Sequence, residues 1–345
     1  MQNQQTKGPW RITFDTNPDS CNLNCIMCEE HSPFSNKQVE RKKRGLKNRI
    51  MPFGLIESTI KEAITTGLKE IIPSTMGEPL LYDHFELIID LCHRYNIKMN
   101  LTTNGTFPRR PVIDWAEMIA PVCSDIKISL NGSNRIIHES IMLRSKFDSL
   151  IEHIKQFKTV RDKIFNKIGH YCRITIQTTF MEKNLGDQQN IALLAISLGV
   201  DRLKGHHLWP HFPEIANLSL RKNHDSIRRW NAILPSIEDV VQKNRLSNGN
   251  RLILENFHPL NPQEPDELIK DGTCPFLGKE AWINTYGRFN PCCAPDDQRQ
   301  SLGDFGILPR RTLRDIWDSE KYYKLMKTYK SIPLCQSCNM KKMEA

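Results

Sequence analysis

No run of about 18 apolar residues occurs in this sequence, so a bilayer-spanning helix is not expected. The opening residues, MQNQQTKGPW, lack the apolar core that a signal peptide carries. The expected compartment is therefore the cytoplasm, with no membrane partner. Internal repeats and low-complexity tracts are also missing, which argues against fibres and disorder. Eleven cysteines in 345 residues fall far below the density of a secreted disulfide scaffold. With 39% hydrophobic and 25% charged residues, the composition is that of an ordinary globular chain of about two domains.

Forty-eight Lys plus Arg against thirty-nine Asp plus Glu give a net charge of +9, which suggests a polyanionic partner only where it clusters. Residues 37–49, KQVERKKRGLKNR, hold seven bases (Lys37, Arg41, Lys42, Lys43, Arg44, Lys47 and Arg49) and one acid, Glu40. This stretch reads as a solvated loop or helix, the alternative being a phosphate-contacting patch. No RNA-binding motif accompanies it, so nucleic acid is not an expected partner.

From residue 11 to about 207, short β-type runs alternate with helical stretches, the pattern of a parallel sheet with crossover helices. Strands are expected at 11–16, 70–74, 97–102, 125–130, 172–179 and 201–206. Helices are expected at 52–66, 84–94, 150–160 and 189–197. Period-two parity puts Ile12 and Phe14, Met99 and Leu101, Ile126 and Ile128, and Ile174 and Ile176 under the helices. The opposite face then holds Arg11, Lys98, Lys127, Ser129, Arg173, Gln177, Thr179, Arg202, Lys204 and His206. Such a lumen would be polar and rather basic, an open site and not the Val, Ile and Leu filling of a closed barrel. A two-layer sheet with its polar face in solvent is the plainer alternative.

The cysteines fall into two groups at opposite ends of the chain, which suggests two metal sites. In CNLNCIMC, Cys21, Cys25 and Cys28 follow the first strand at C-x3-C-x2-C spacing. Three thiols are one short of closing a zinc site or an iron-sulfur cube, so one metal position stays open.

This segment resembles the cluster loop of the radical S-adenosylmethionine (radical SAM) superfamily. The resemblance spans most of residues 11–207. It implies a 4Fe-4S cluster on these three cysteines, with S-adenosylmethionine (SAM) on the open iron, cleaved by one electron to a 5′-deoxyadenosyl radical that abstracts a substrate hydrogen. Gly77-Glu78-Pro79 after the second strand matches the family's glycine-rich segment, with Glu78 accepting from the SAM ammonium. Thr103 and Asn104 in TTNGT, Ser129 and Asn131 in SLNG, Arg144 and Gln177 complete the implied cofactor contacts. The implied fold is an α/β partial (β/α)6 TIM-type barrel over residues 1–207, a helical connection and linker over 208–260, and a small domain over 261–345.

That last segment carries Cys274, Cys292, Cys335 and Cys338, with Gly287 to Cys292 reading G-x4-C. It resembles the twitch domain, a shortened SPASM domain, and so implies an auxiliary 4Fe-4S cluster with four protein ligands. A structural zinc on the same four thiols is the alternative. Two clusters would take the net charge to about +6. Cys293 is spare: a small buried hydrophobe, an alternative ligand, or a thiol that returns a hydrogen atom to a substrate radical.

A cluster with four protein ligands is suited to electron transfer, for instance in a net oxidation. The cysteine pattern looks most like the twitch-type dehydrogenase acting on an aminocyclitol alcohol. The expected reaction is oxidation or epimerisation of a sugar-like or aminocyclitol metabolite, polar or anionic; the alternative is peptide or protein modification by epimerisation or cross-linking. The 20 residues before Cys21 are few for a peptide-binding domain, which favours the small molecule. An electron donor such as flavodoxin or ferredoxin is implied. On the substrate side Lys204 and His206 should line the pocket, with His206 or His207 taking a proton and Trp209 and His211 in a covering loop.

Overall fold

The structure, a computed structural model, describes residues 7–263, 272–294, 296–338 and 340–342. Its main sheet contains β1 (Arg11–Phe14), β2 (Glu70–Ile72), β3 (Lys98–Thr103), β4 (Cys123–Ser129), β5 (Arg173–Phe180), β6 (Arg202–His207), β7 (Ile253–Glu255), β8 (Glu280–Ile283) and β9 (Phe289–Asn290). Strands β1 to β7 are neighbours in chain order and all parallel. The C-terminal segment then returns: β8 pairs in parallel with the free edge of β1, Arg11 opposite Glu280, and β9 turns back antiparallel on β8. A six-stranded core is thus continued by three strands that lie beyond residue 207, β7 at one edge and β8 with β9 at the other.

Crossover helices Phe53–Ile64, Phe85–Tyr95, Val112–Ile119, Phe147–Ile168 and Gln188–Leu198 cover one face. Strand parity explains why. Ile12, Phe14, Ile71, Met99, Leu101, Ile126, Ile128, Ile174, Ile176 and Leu203 are fully buried under these helices. Helix Val112–Ile119 goes unnoticed in the sequence, although Trp115, Ala116 and Ile119 are its buried face. Helix His224–Lys243 follows β6 and buries Ile227, Trp230 and Ile237.

A close backbone approach sets the position of β6. A Cβ on Gly205 would run into the ring of Phe180, which lies on it and packs against Trp230 at 4.4 Å between centroids. His207, two residues on, shares that face and meets Phe180 and Trp230 edge-on at 5.2 and 5.0 Å. It therefore sits in the helix layer, and burial holds its imidazolium down to about 3. That corrects the expectation that His207 takes a substrate proton.

At the C-terminal end, the turn between β8 and β9 needs Gly287 at φ +82, because a Cβ there would collide with the Leu308 carbonyl. Phe289 packs on Tyr322 and Phe305, and Trp317 on Tyr322, with centroids 5.1 to 6.0 Å apart. The Glu62 carboxylate accepts from the Leu313 and Arg314 amides, tying helix Leu313–Trp317 to helix Phe53–Ile64. No helix among the described residues is long and apolar enough to cross a membrane.

Candidate functional site

The loop after β1 carries Cys21, Cys25 and Cys28, all half-buried. Residues Asn24–Cys25 pair antiparallel with Met142–Leu143, and the Ile26 amide donates to Ile141 O at 3.0 Å, which fixes the loop against the segment leading to Arg144. Burial pushes Cys21 up to about 11 and raises Cys25 and Cys28 as well, with Glu78 and Cys28 adding at Cys21, the other two thiols at Cys25, and Glu30 and Glu29 at Cys28. The Leu23 and His31 amides donate to the sulfurs of Cys21 and Cys28 at 3.5 and 3.4 Å. Asn104 Nδ2 reaches Cys21 Sγ at 3.8 Å. Three crowded thiols with N–H donors aimed at sulfur fit a cationic metal core, which would stabilise the thiolates that burial opposes.

Gly77, at φ +79, lets the chain after β2 press onto this loop: a Cβ would meet the Asn17 and Ser20 carbonyls. The Glu78 amide donates to Ser20 O at 2.8 Å, and Asn17 Nδ2 to Glu78 O at 2.9 Å. The Glu78 carboxylate points elsewhere. It accepts from Thr103 Oγ1 at 2.7 Å, the Asn104 amide at 2.8 Å and the Leu80 amide at 3.3 Å, and burial raises it to about 7. Three protein donors thus hold this buried carboxylate, two on Oε1 and one on Oε2, and bind the chain after β2 to the end of β3. Pro79 is buried in the turn that follows.

Thr103 and Asn131 are likewise engaged within the protein. Asn131 Oδ1 receives the Thr179 amide at 2.7 Å. Asn104 is engaged too, its Nδ2 on Asn22 and Cys21 and its Oδ1 on Thr106, whereas Ser129 and Arg144 remain available at the loop ends. Arg144 is exposed at φ +70 and makes no ion pair among the described residues.

A second brace escapes the sequence reading. Arg49 chelates Asp19, with Nη2 to Oδ1 at 2.6 Å, and reaches Glu30 at 2.9 Å; Arg41 also meets Asp19 at 3.1 Å. Lys37 pairs with Glu29 and Glu30. Burial would raise Asp19, but Arg49 prevails and brings it down to about 2. Thus three of the seven bases in 37–49 hold the residues that flank the cysteines.

The inner face of the sheet is polar, as parity indicates, and most of its charges are matched, Lys98 and Arg173 having no ion pair among the described residues. Glu70 takes Arg11 Nε at 2.6 Å and Ser124 Oγ at 2.5 Å; Arg11 also meets Glu280 at 3.1 Å. Arg202 pairs with Asp125 and, at 2.6 Å, with Glu255; Lys204 meets Glu255 at 2.7 Å. Burial lowers Lys127, whose Nζ bonds Asn100. The expected excess of positive charge is therefore largely offset, and Lys204 offers no free cation. Asp125 shares the parity of Lys127, so one acid was visible; Glu280 was not, because its strand joins from the far end of the chain.

Above this floor, register sets Ser129 beside Gln177, Gln177 beside Lys204, and Thr179 beside His206. Thr179 Oγ1 and His206 Nε2 lie 3.2 Å apart. His206 is exposed on this face, and desolvation and Lys204 hold its imidazolium down to about 4.

Among the described residues, no three His, Cys, Asp or Glu side chains meet where one metal ion would sit. Cys274, Cys292, Cys335 and Cys338 instead line a cavity of about 280 Å³ together with Cys293. The Leu277 amide donates to Cys274 Sγ and the Met340 amide to Cys338 Sγ, at 3.5 and 3.4 Å. Burial and neighbouring thiols raise Cys274, Cys292 and Cys335, and raise Cys293 to about 12. Four thiols around an apolar void, with N–H donors on sulfur, fit a four-iron core. Trp209 and His211, from the loop after β6, close the same cavity.

The model of the radical SAM superfamily matches residues 18–172, and that of an iron-sulfur cluster-binding SPASM domain matches 274–339. This chain is a radical SAM enzyme. It carries the SPASM or twitch type of auxiliary domain, and with it 4Fe-4S clusters and a SAM site. Two solved structures share the fold of this radical SAM enzyme. Streptococcus suis SuiB bound to S-adenosylmethionine is 18% identical at a TM-score of 0.64, with 96% of this chain and 72% of SuiB covered. Native anSMEcpe with bound AdoMet is 17% identical at a TM-score of 0.66, with 96% and 88% covered. No curated protein sequence matches.

Proposed function

We propose that this radical SAM enzyme holds its SAM-binding cluster on Cys21, Cys25 and Cys28 and its auxiliary cluster on Cys274, Cys292, Cys335 and Cys338, and that it oxidises or epimerises a polyhydroxylated metabolite of sugar or aminocyclitol type. When bound, SAM and the cluster supply a 5′-deoxyadenosyl radical that takes a hydrogen atom from the substrate. The observation that carries the substrate class is the pairing of the lumen's charges. Arg202, Lys204, Asp125 and Glu255 satisfy one another. The groups left to meet a ligand are neutral hydrogen-bonders: Ser129, Gln177, Thr179 and His206, which suit hydroxyl groups better than a strong anion.

His206 is neutral above about pH 4, the form that accepts a hydrogen bond from the hydroxyl of an alcohol and takes its proton as the carbonyl forms, while the same desolvation makes it a weaker base than a free imidazole. Thr179 Oγ1 orients that imidazole. On the cofactor side, the Gly77 backbone, Ser129 and Arg144 are left to hold SAM, with Glu78 and Asn104 fixing the loops beneath. The domain limits 1–207, 208–260 and 261–345 belong to this reading.

The test is anaerobic turnover of the reconstituted enzyme with a panel of polyols and aminocyclitols. Oxidation gives 5′-deoxyadenosine and a product lighter by two hydrogens; epimerisation gives unchanged mass and one solvent deuterium. A second reading, peptide modification, is favoured by the fold shared with SuiB, solved with precursor peptide SuiA, and with anSMEcpe, solved with the Cp18Cys peptide. Mass change on a peptide panel, with none on the polyols, would replace the first reading by the second.

A further inference from the structure

The basic stretch has a second half that the brace does not use. Helix Lys37–Lys43 buries none of its residues. Lys37, Arg41 and Arg49 are drawn inward by Asp19, Glu29 and Glu30. Lys42, Lys43, Arg44 and Lys47 are exposed, and no ion pair joins them among the described residues. The same segment, 34–50, carries Phe34, Val39, Leu46 and Ile50, large apolar side chains that are 37%, 51%, 43% and 50% exposed, Phe34 with its ring 6.4 Å from that of Phe212.

A merely solvated charged segment has no reason to hold four large apolar side chains in water. An interface does, with apolar contacts inside a charged rim. The unpaired charges are all positive, so the complementary surface is acidic. Phe34 is the one aromatic ring of the patch, which leaves no row of rings on which successive bases could stack. An acidic protein therefore fits better than a nucleic acid.

Location supplies the rest. Asp19 and Glu29, the carboxylates that receive Arg49 and Lys37, lie two residues before Cys21 and one after Cys28. A partner seated on residues 34–50 would lie against the outside of the cysteine loop. Reductive cleavage of SAM consumes one electron that the chain must take from outside. We propose that residues 34–50 are the docking surface for an acidic, low-potential one-electron donor protein. This rests on the assignment of Cys21, Cys25 and Cys28 above. The reduced donor loses one electron, the site on these cysteines gains it, and no group or proton is transferred.

The probe is reduced flavodoxin, compared with dithionite, which needs no docking surface. The variant is K42E/K43E/R44E/K47E, and the readouts are iron content and 5′-deoxyadenosine formation. With dithionite the variant should match the parent in rate and iron. With flavodoxin its rate should fall at least ~10-fold, mainly through a higher KM for flavodoxin, and the parent's rate should drop with salt while the variant's does not. The milder V39S/L46S variant should raise the same KM in a salt-independent way. Equal flavodoxin-driven rates for parent and charge-reversed variant overturn the proposal. So does RNA binding that the charge reversal abolishes while leaving those rates unchanged. A parent that makes no 5′-deoxyadenosine with dithionite overturns the cysteine assignment first and the docking surface with it.

Discussion

The two cysteine groups are built in opposite ways. The first places three thiols within eight residues of one loop, and the fold then ties that loop down with polar groups from elsewhere: Arg49 on Asp19, the Glu78 amide on Ser20, Asn104 on Cys21. The second gathers four thiols from three segments that only the tertiary structure unites, and backs them with an aromatic cluster of Phe289, Phe305, Trp317 and Tyr322. A polar, tethered loop short of one ligand leaves room for a small molecule on metal. A complete set of thiols around an apolar cavity excludes one. The difference in construction is what the proposed division of tasks requires, reaction at one site and electron transfer at the other.

The largest effect that could break this contrast comes from removing ligands. Cys21, Cys25 and Cys28 changed together to Ala should halve the iron from about eight per chain and abolish SAM cleavage. Changing Cys335 and Cys338 to Ala should also leave about four irons, yet 5′-deoxyadenosine should persist while product from substrate falls at least ~100-fold. Iron assay with chromatography of both products checks this. If the second variant also loses SAM cleavage, the tasks are not separate.

Next come the two supports. Glu78→Ala leaves the Thr103 hydroxyl and the Asn104 and Leu80 amides buried without an acceptor, and should cost about 2 to 4 kcal/mol in denaturant unfolding along with weaker SAM binding. Tyr322→Phe, in the second region, removes one acceptor of the Gly278 amide and keeps the ring packing, so about 1 kcal/mol is expected. Comparable losses would mean that the second region depends on polar support as much as the first.

A smaller, pH-dependent effect belongs to the first region. His138 is buried between the Asn131 amide and Ser145 Oγ, and desolvation lowers it from 6.5 to about 4. The unfolded chain then binds more protons between those values. Its contribution is full above pH 6.5 and is lost as pH falls toward 4, by about 3 kcal/mol. Melting temperatures of the parent and of His138→Gln across that window should converge at the acid end.

Much of this was legible beforehand because it is local. Parity within β4 and β5 put Ile126, Ile128, Ile174 and Ile176 under helices, and C-x3-C-x2-C needs no fold to be seen. What the sequence concealed depends on long-range partners. Lys204 looks like a free cation until β7 brings Glu255 within 2.7 Å. The partners of Glu78 come into view only when β3 ends beside it, offering Thr103 and Asn104. The strand Glu280–Ile283 reads as part of a separate module, yet it completes the sheet at β1. His207 differs from His206 by one step of the pleat, so parity already sets them on opposite faces, and the packing of Phe180 on Gly205 shows that the face of His207 is filled.

The central claim, an open metal position in the first region and a closed one in the second, is tested most directly by electron paramagnetic resonance of the two reduced ligand variants with and without SAM. The variant lacking Cys335 and Cys338 should show a cluster signal that shifts when SAM is added, and the variant lacking Cys21, Cys25 and Cys28 a signal that does not. A SAM-dependent shift in the latter, or none in the former, would contradict the account.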